Sequence, residues 1–214
     1  MDLKACKKII VFGGSFDPPQ IAHVQLPAIV LRAIQAQVVA YVPVAHQPLK
    51  PEGPIASVEH RLEMLRLALA DVPHAVIWMD ELDRARDNSS YGPSYTVDTI
   101  ERMRQQVGEQ PEIRLLIGAD QVHQFDKWHA WQRLIEMAEP VIMLRPPETQ
   151  ASLLASLPAQ LDKVQWQRYL IDVPTVSTSS TQIRQRCAQK KSITGLVSSA
   201  VEKYIGDHGL YQTC

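Results

Sequence analysis

The stretch Ile9-Ile10-Val11-Phe12-Gly13-Gly14-Ser15-Phe16-Asp17-Pro18-Pro19-Gln20-Ile21-Ala22-His23 constrains the fold of this chain more than any other. Its opening run is apolar and rich in β-branched residues, the composition of a strand buried on both faces. Two glycines end the run, where glycine permits unusual backbone angles and close approach to the main chain. A second apolar stretch, residues 21–34, reads as a helix. A buried strand that turns through glycines into a helix presents free backbone N–H groups to an anion. The turn lacks G-x-G-x-x-G and G-x-x-x-x-G-K-[ST], so neither the dinucleotide fingerprint nor the P-loop applies.

Short apolar strands alternate with longer amphipathic stretches along the remaining chain, which predicts an α/β fold, a Rossmann-like doubly wound parallel sheet with helices on both faces. Strands are expected at residues 38–42, 75–79, 113–117, 141–144 and 169–172. Helices are expected after Ser57, over 95–107, up to 138 and over 150–161, with a small helical C-terminal region over 178–214. Residues 84–93 are polar and read as an exposed loop. No linker divides the 214 residues, so residues 1–214 are read as one domain. In open parallel sheets ligands sit beyond the carboxyl ends of the strands, where strand order reverses. That rule gathers residues 13–23, 46–50 and 118–120 around one crevice.

The net charge of −1 predicts no general affinity for nucleic acid or acidic membranes. No apolar run approaches the ~20 residues of a membrane helix, and residues 1–8 do not read as a signal peptide. Cys6, Cys187 and Cys214 lack metal-ligand spacing, and a reduced, cytoplasmic protein is the expectation. His123 and His129, six apart, do not make a helical metal pair. The cationic candidates are His23, Lys50 and Arg184. Ser179-Ser180-Thr181 either caps a helix or offers hydroxyl and N–H donors to an anion, with Arg184 one turn on. Asp17 reads as a turn residue.

Gly14-Ser15-Phe16-Asp17-Pro18 with His23 resembles the G-[ST]-F-[DN]-P…[HT]-x-G-H of the nucleotidylyltransferase superfamily. Ser180-Thr181-Gln182-Ile183-Arg184 resembles the I-S-S-T-x-I-R of nicotinate/nicotinamide mononucleotide adenylyltransferases. Ser94-Tyr95-Thr96-Val97-Asp98-Thr99, Gly118-Ala119-Asp120 with Trp128 and Trp131, and the closing segment from Lys191 to Tyr211 are similar to the bacterial nicotinate-nucleotide type. Gln47-Pro48-Leu49-Lys50 is similar to its P-P-H-K. Gln20, Ala22 and Leu49 depart from the pattern.

The resemblance implies transfer of AMP from ATP, which carries Mg²⁺, to nicotinate mononucleotide, giving deamido-NAD and pyrophosphate. Nicotinamide mononucleotide as acceptor, or a nucleotide-binding homologue without catalysis, are the alternatives. It assigns His23, Arg184 and Lys50 to catalysis. Gly14, Ser15, Phe16, Gln20, His23, Gly118, Asp120, Ser180, Thr181 and Arg184 are assigned to ATP. Thr96 and Trp128 are assigned to the mononucleotide, with Trp128 stacking on its ring. Capping remains the alternative for Asp120, capping or packing for Thr96, and core packing for Trp128 or Trp131, which are read as sharing a helix face. No protein-held metal is expected, and a homo-oligomer is compatible with the sequence.

Overall fold

Ile9, Ile10 and Val11 are almost wholly buried because their strand lies in the middle of a six-stranded parallel sheet. The computed structural model describes residues 2–45, 53–87, 94–176 and 178–212. In chain order the strands are β1 (Lys8–Gly14), β2 (Val38–Pro43), β3 (Ala75–Ile77), β4 (Glu112–Gly118), β5 (Glu139–Leu144) and β6 (Leu170–Asp172). They lie in the order β3-β2-β1-β4-β5-β6, and every pairing is parallel. The chain builds outward from β1 in one direction and then, from β4, in the other. The reversal falls between β1 and β4, the place where such sheets open a crevice.

The helices are α1 (Ile21–Ala33), α2 (Val58–Leu69), α3 (Asp80–Asp87), α4 (Thr96–Val107), α5 (Ala119–Val122), α6 (Trp131–Met137), α7 (Gln150–Ala155), α8 (Lys163–Gln167), α9 (Ser180–Ala188) and α10 (Ser199–Asp207). Alternation along the strands gives two cores. On one face Ile10, Phe12, Leu116, Val141 and Met143 pack with Leu26 and Val30 of α1 and with Leu65 and Leu69 of α2. On the other Ile9, Val11, Leu115, Ile117, Ile142 and Leu144 pack with Ile100 and Met103 of α4 and Leu134 of α6. Ile183, Val201 and Ile205 of α9 and α10 form a third cluster against Met64 and Ala68 of α2. The C-terminal region is therefore bound to the α1–α2 side.

Three expectations are corrected. Residues 84–87, expected in a loop, belong to α3, whose acidic first turn and basic last turn suit the helix dipole. Leu82 inserts fully into the core, and Arg84 pairs with Asp80 at 3.1 Å, one turn apart. Residues 88–93 lie outside the described residues. The helix expected over 150–161 stops at Ala155, because Pro158 lacks an N–H and disfavours helical geometry in the residue before it. A separate α8 follows, capped by Asp162. Trp128 and Trp131 do not share a helix. Trp128 closes a 3-10 turn in extended conformation, and left-handed Ala130 intervenes before α6.

Trp166 of α8 is 1% exposed and meets Phe125 edge-on at 4.9 Å, and Phe125 in turn stacks on Trp128 at 5.0 Å. Trp166→Ala is expected to cost about 3–5 kcal/mol of stability, read from the urea unfolding midpoint.

Candidate active site

The loop leaving β1 carries the first group of residues. Gly13 is exposed and has nothing within 4 Å of where a Cβ would stand, so it is the position that leaves the main chain open to a ligand. Gly14 is glycine for a different reason: a Cβ there would meet the Phe16 ring at 3.1 Å. Phe16 adopts φ +47, a costly conformation for a bulky residue. Its ring is fully buried, edge-on to His23 at 5.3 Å and to Phe12 at 5.8 Å. Packing holds the backbone there. Beneath the loop Arg61, 1% exposed, donates from Nη1 to the carbonyls of Ser15 at 2.8 Å and Val44 at 3.0 Å.

Asp17 is a buried anchor rather than a turn residue. Its carboxylate accepts from the Ile55 N–H at 2.7 Å, the Ala56 N–H at 3.2 Å and the Tyr211 hydroxyl at 2.7 Å. Burial, reinforced by Asp17, pushes the Tyr211 phenol far up. Arg184 donates to the Asp17 carbonyl at 2.7 Å and to the Thr181 hydroxyl at 3.3 Å, and Ser180 donates to the Pro18 carbonyl at 2.9 Å. Ser179 caps α9 through the Gln182 N–H. Two motifs more than 160 residues apart thus meet at the end of β1.

His23 stands in the first turn of α1. The Gln20 N–H donates to its Nδ1 at 3.2 Å, which leaves the proton of a neutral ring on Nε2. The Gln20 amide lies 3.4 Å from Nε2, and a donor there requires the amide to present its oxygen. Burial, with a lesser contribution from the Arg145 charge, holds the His23 pKa down to about 4. His23 is therefore a neutral donor at neutral pH, which corrects its place among the cationic candidates. Gln20 is 9% exposed, and its other amide atom is buried without a partner among the described residues.

The second half of the crevice lies beyond β4. Leu115 pairs with Val11, so Gly118 and Gly14, each three residues on, stand at the same level. A Cβ on Gly118 would collide with the Asp120 carboxylate; glycine here lets that exposed side chain fold back over the strand exit. Thr96 is the first residue of α4, whose N-cap Tyr95 supplies no side-chain hydrogen bond. The Tyr95 and His129 rings meet at 4.4 Å, which joins the start of α4 to the turn that carries half-buried Trp128. Thr96 and Trp128 thus flank one contact on the α4 face, opposite α1. The fully buried Thr99 hydroxyl donates to Glu81 at 2.6 Å, and burial pushes the Glu81 carboxyl up. Lys50, Leu49 and the rest of 46–50 lie outside the described residues. Among the described residues no group of three or more His, Cys, Asp or Glu side chains could hold a metal ion.

Residues 11–186 match the family model described as cytidylyltransferase-like. Two proteins named probable nicotinate-nucleotide adenylyltransferase are each 35% identical over 207 residues. The one from Albidiferax ferrireducens is matched over 97% of this chain and 99% of its own. The one from Bacillus pumilus is matched over 97% and 100%. The chain belongs to the nicotinate-nucleotide adenylyltransferase family. A solved Plasmodium falciparum nicotinic acid mononucleotide adenylyltransferase complexed with NaAD shares the fold, with TM-score 0.72 and 18% identity over 96% of this chain and 98% of that one.

In this family member the residues that sequence reasoning missed are the supporting ones. Arg61 shares a helical spacing with Met64 and Ala68, all facing the core, and an arginine at an apolar-face position was the available signal. Asp17 and Tyr211 carried none, because their contact spans 194 residues.

Asp17→Asn would turn an NH₂ group toward donors that now face a carboxylate oxygen, with an expected loss of about 1–3 kcal/mol in chemical denaturation. For His23, an unfolded imidazole titrates near 6.5 and the folded one near 4. Stability is therefore lost as pH falls from about 6.5 toward 4. Imidazole NMR, with His23 assigned by its loss in His23→Ala, should show this ring titrating near pH 4.

Proposed function

We propose that the protein transfers the AMP moiety of ATP, supplied as its Mg²⁺ complex, to nicotinate mononucleotide, forming deamido-NAD and pyrophosphate. What supports this reading is that Ser180 and Arg184 reach the loop that runs from Gly13 to His23 at the β1 exit, in a chain of this family; Asp120, Thr96 and Trp128 are assigned to the remainder of the crevice. The mononucleotide phosphate is itself the nucleophile, so the protein supplies alignment and charge stabilisation and needs no general base. An oxygen of that phosphate forms a bond to the α-phosphorus as the bond to the β-phosphate oxygen breaks, and pyrophosphate leaves with the electron pair.

In this reading His23 donates from Nε2 to the transferring phosphate as a neutral group, and Gln20 lies close enough to share that oxygen. Arg184 and Thr181 hold the leaving pyrophosphate, joined by Ser180 and the Ser15–Phe16 backbone, and Lys50 adds charge. Gly118 and Asp120 hold the adenosine ribose, a role a carboxylate performs well. Thr96 and the uncapped N–H groups of α4 face the pyridine carboxylate, and Trp128 stacks on the ring. The α4 N-terminus carries a partial positive charge and favours nicotinate over the neutral amide. The described residues contain no helix long and apolar enough to cross a membrane, in keeping with a cytoplasmic enzyme acting on soluble nucleotides.

Steady-state pyrophosphate release with each mononucleotide tests the proposal, with nicotinate mononucleotide expected to give the higher kcat/KM. His23→Ala should lower kcat by roughly 10²–10³-fold with ATP binding little changed, the loss typical of one donor to a developing oxyanion. Absence of dinucleotide product from either mononucleotide in wild type would refute the assignment.

A further inference from the structure

No N-cap side chain closes the start of α4: Tyr95 stands at that position and makes no capping hydrogen bond. In α2, by contrast, Ser57 accepts from the His60 N–H at 3.3 Å. The first N–H groups of a helix have no partner within it, and a first turn without a cap frays unless something else holds it.

The first turn of α4 is held from the side. Thr99, its fourth residue, is 1% exposed. Its N–H donates to the Tyr95 carbonyl at 3.2 Å. Its hydroxyl has two oxygens in reach, Glu81 at 2.6 Å and the Tyr95 carbonyl at 3.4 Å, and the single proton goes to the nearer one. The bond therefore runs out of α4 into α3. Glu81 lies in the first turn of α3, beside a Leu82 that is fully buried against Ala45 and Leu62. The acceptor thus stands on a fixed base.

Burial pushes the Glu81 carboxyl up, while the Thr99 and Ser94 hydroxyls, the Ala45 N–H and Arg84 favour its charged form. Ser94 and Thr99 lie on either side of Tyr95, so the donors gathered on this carboxyl bracket the start of α4. Taking a carboxyl out of water is costly, and an apolar pair in its place is often neutral or better for stability. What such a group adds is direction. The preceding residue supplies the contrast. Asp80 accepts from Arg84 at 3.1 Å within α3 and from Arg102 at 2.7 Å. Arg102 is in the second turn of α4, so Asp80 ties the body of that helix and Glu81 its beginning.

Building on the adenylyl-transfer reading, we propose that Glu81 is a positioning residue that takes the place of an N-cap: through Thr99 it fixes the first turn of α4 and leaves the N–H groups there for the pyridine carboxylate of the mononucleotide. A side-chain cap would occupy the N–H of the second or third helical residue. A hold through Thr99 occupies neither, and the helix end keeps its donors and its partial positive charge for an anion.

The test is steady-state kinetics with both mononucleotides on wild type, T99V, T99S, E81L and D80N, beside amide hydrogen exchange of the free proteins. T99V keeps the side-chain shape and loses the hydroxyl. T99V and E81L are expected to raise the KM for nicotinate mononucleotide at least ~5-fold, the scale of one hydrogen bond to a charged group. The preference for nicotinate over nicotinamide mononucleotide should fall by a similar factor, while the KM for ATP changes less than about twofold. T99S, which restores the hydroxyl, should return to within about twofold of wild type. D80N should lower the melting temperature and leave both KM values within about twofold of wild type. The Thr99 amide should exchange at least ~5-fold faster in E81L than in D80N. A wild-type KM in T99V, an equal rise for ATP, or a D80N that reproduces the T99V pattern overturns the proposal. If wild type makes no dinucleotide, the adenylyl-transfer reading fails by that result, and exchange at Thr99 still decides whether Glu81 holds α4: unchanged exchange in E81L overturns it.

Discussion

Everything at the candidate site hangs from the Asp17 carboxylate. It is 2% exposed, and a buried carboxylate is costly unless its lone pairs are occupied. Here the occupants come from two distant segments: the N–H groups that precede α2 and the Tyr211 hydroxyl near the end of the chain. The main-chain oxygen of the same residue receives Arg184. One residue thus ties the β1 loop, the α2 entry and the C-terminal helices together. Arg61 plays the complementary part from below, a buried cation that spends its donors on the Ser15 and Val44 carbonyls. These groups never need to touch a substrate to matter. They fix the curvature of the loop that does.

Charge is distributed around that loop in a way composition conceals. A histidine in a phosphate site is easily taken for a cation, but His23 lies under Phe12 and Phe16, accepts a backbone N–H on Nδ1 and stands within the field of Arg145. Each circumstance favours the neutral ring. A neutral Nε2–H has a use here, because its donor direction is fixed by the bond on the other nitrogen and does not vary across physiological pH. Among the described residues that meet the loop, positive charge is left to Arg184 and Arg61, and arginine stays protonated even when buried. Direction and charge are thereby carried by different residues.

The parallel sheet and the β1–Gly–Gly–α1 turn were legible from local pattern, since β-branched runs and glycine breaks act within a few residues. So were the two terminal motifs, through their family pattern, and the nearness of the β1 and β4 exits, which follows from strand order alone; that α9 reaches the β1 loop is seen only in its bonds. What stayed illegible depends on contacts at long range. Asp17 looks like any turn aspartate until Tyr211 is placed beside it. That Gly14 must also be glycine to make room for the Phe16 ring is visible only once the two are placed together. Residues 84–87 look like a loop because they are polar, and they are helical because Leu82 anchors them and alternating charges satisfy one another. The split of 150–161 into α7 and a following turn was readable from Pro158, where backbone chemistry was outweighed by an apolar pattern.

The tie between the two ends of the chain sets an energetic problem. Closing a loop of more than 160 residues costs roughly 4–5 kcal/mol of chain entropy. The bonds from Ser180, Arg184 and Tyr211 return about 0.5–3 kcal/mol each, a sum of the same order as that cost. The margin must come from apolar burial, and the cluster of Ile183, Ile193, Val197, Val201 and Ile205 against Ala56, Met64 and Ala68 supplies it. At ~1.5–3 kcal/mol for each large buried aliphatic side chain, this cluster outweighs the polar knot. Holding and aiming are therefore separate tasks. The apolar cluster keeps α9 and α10 on α2, and the polar bonds, nearly neutral in stability, decide where Arg184 and Thr181 point. Geometry of the site can then be altered at the knot without releasing the C-terminal region, which is why the polar contacts and not the apolar ones are the place where function is specified.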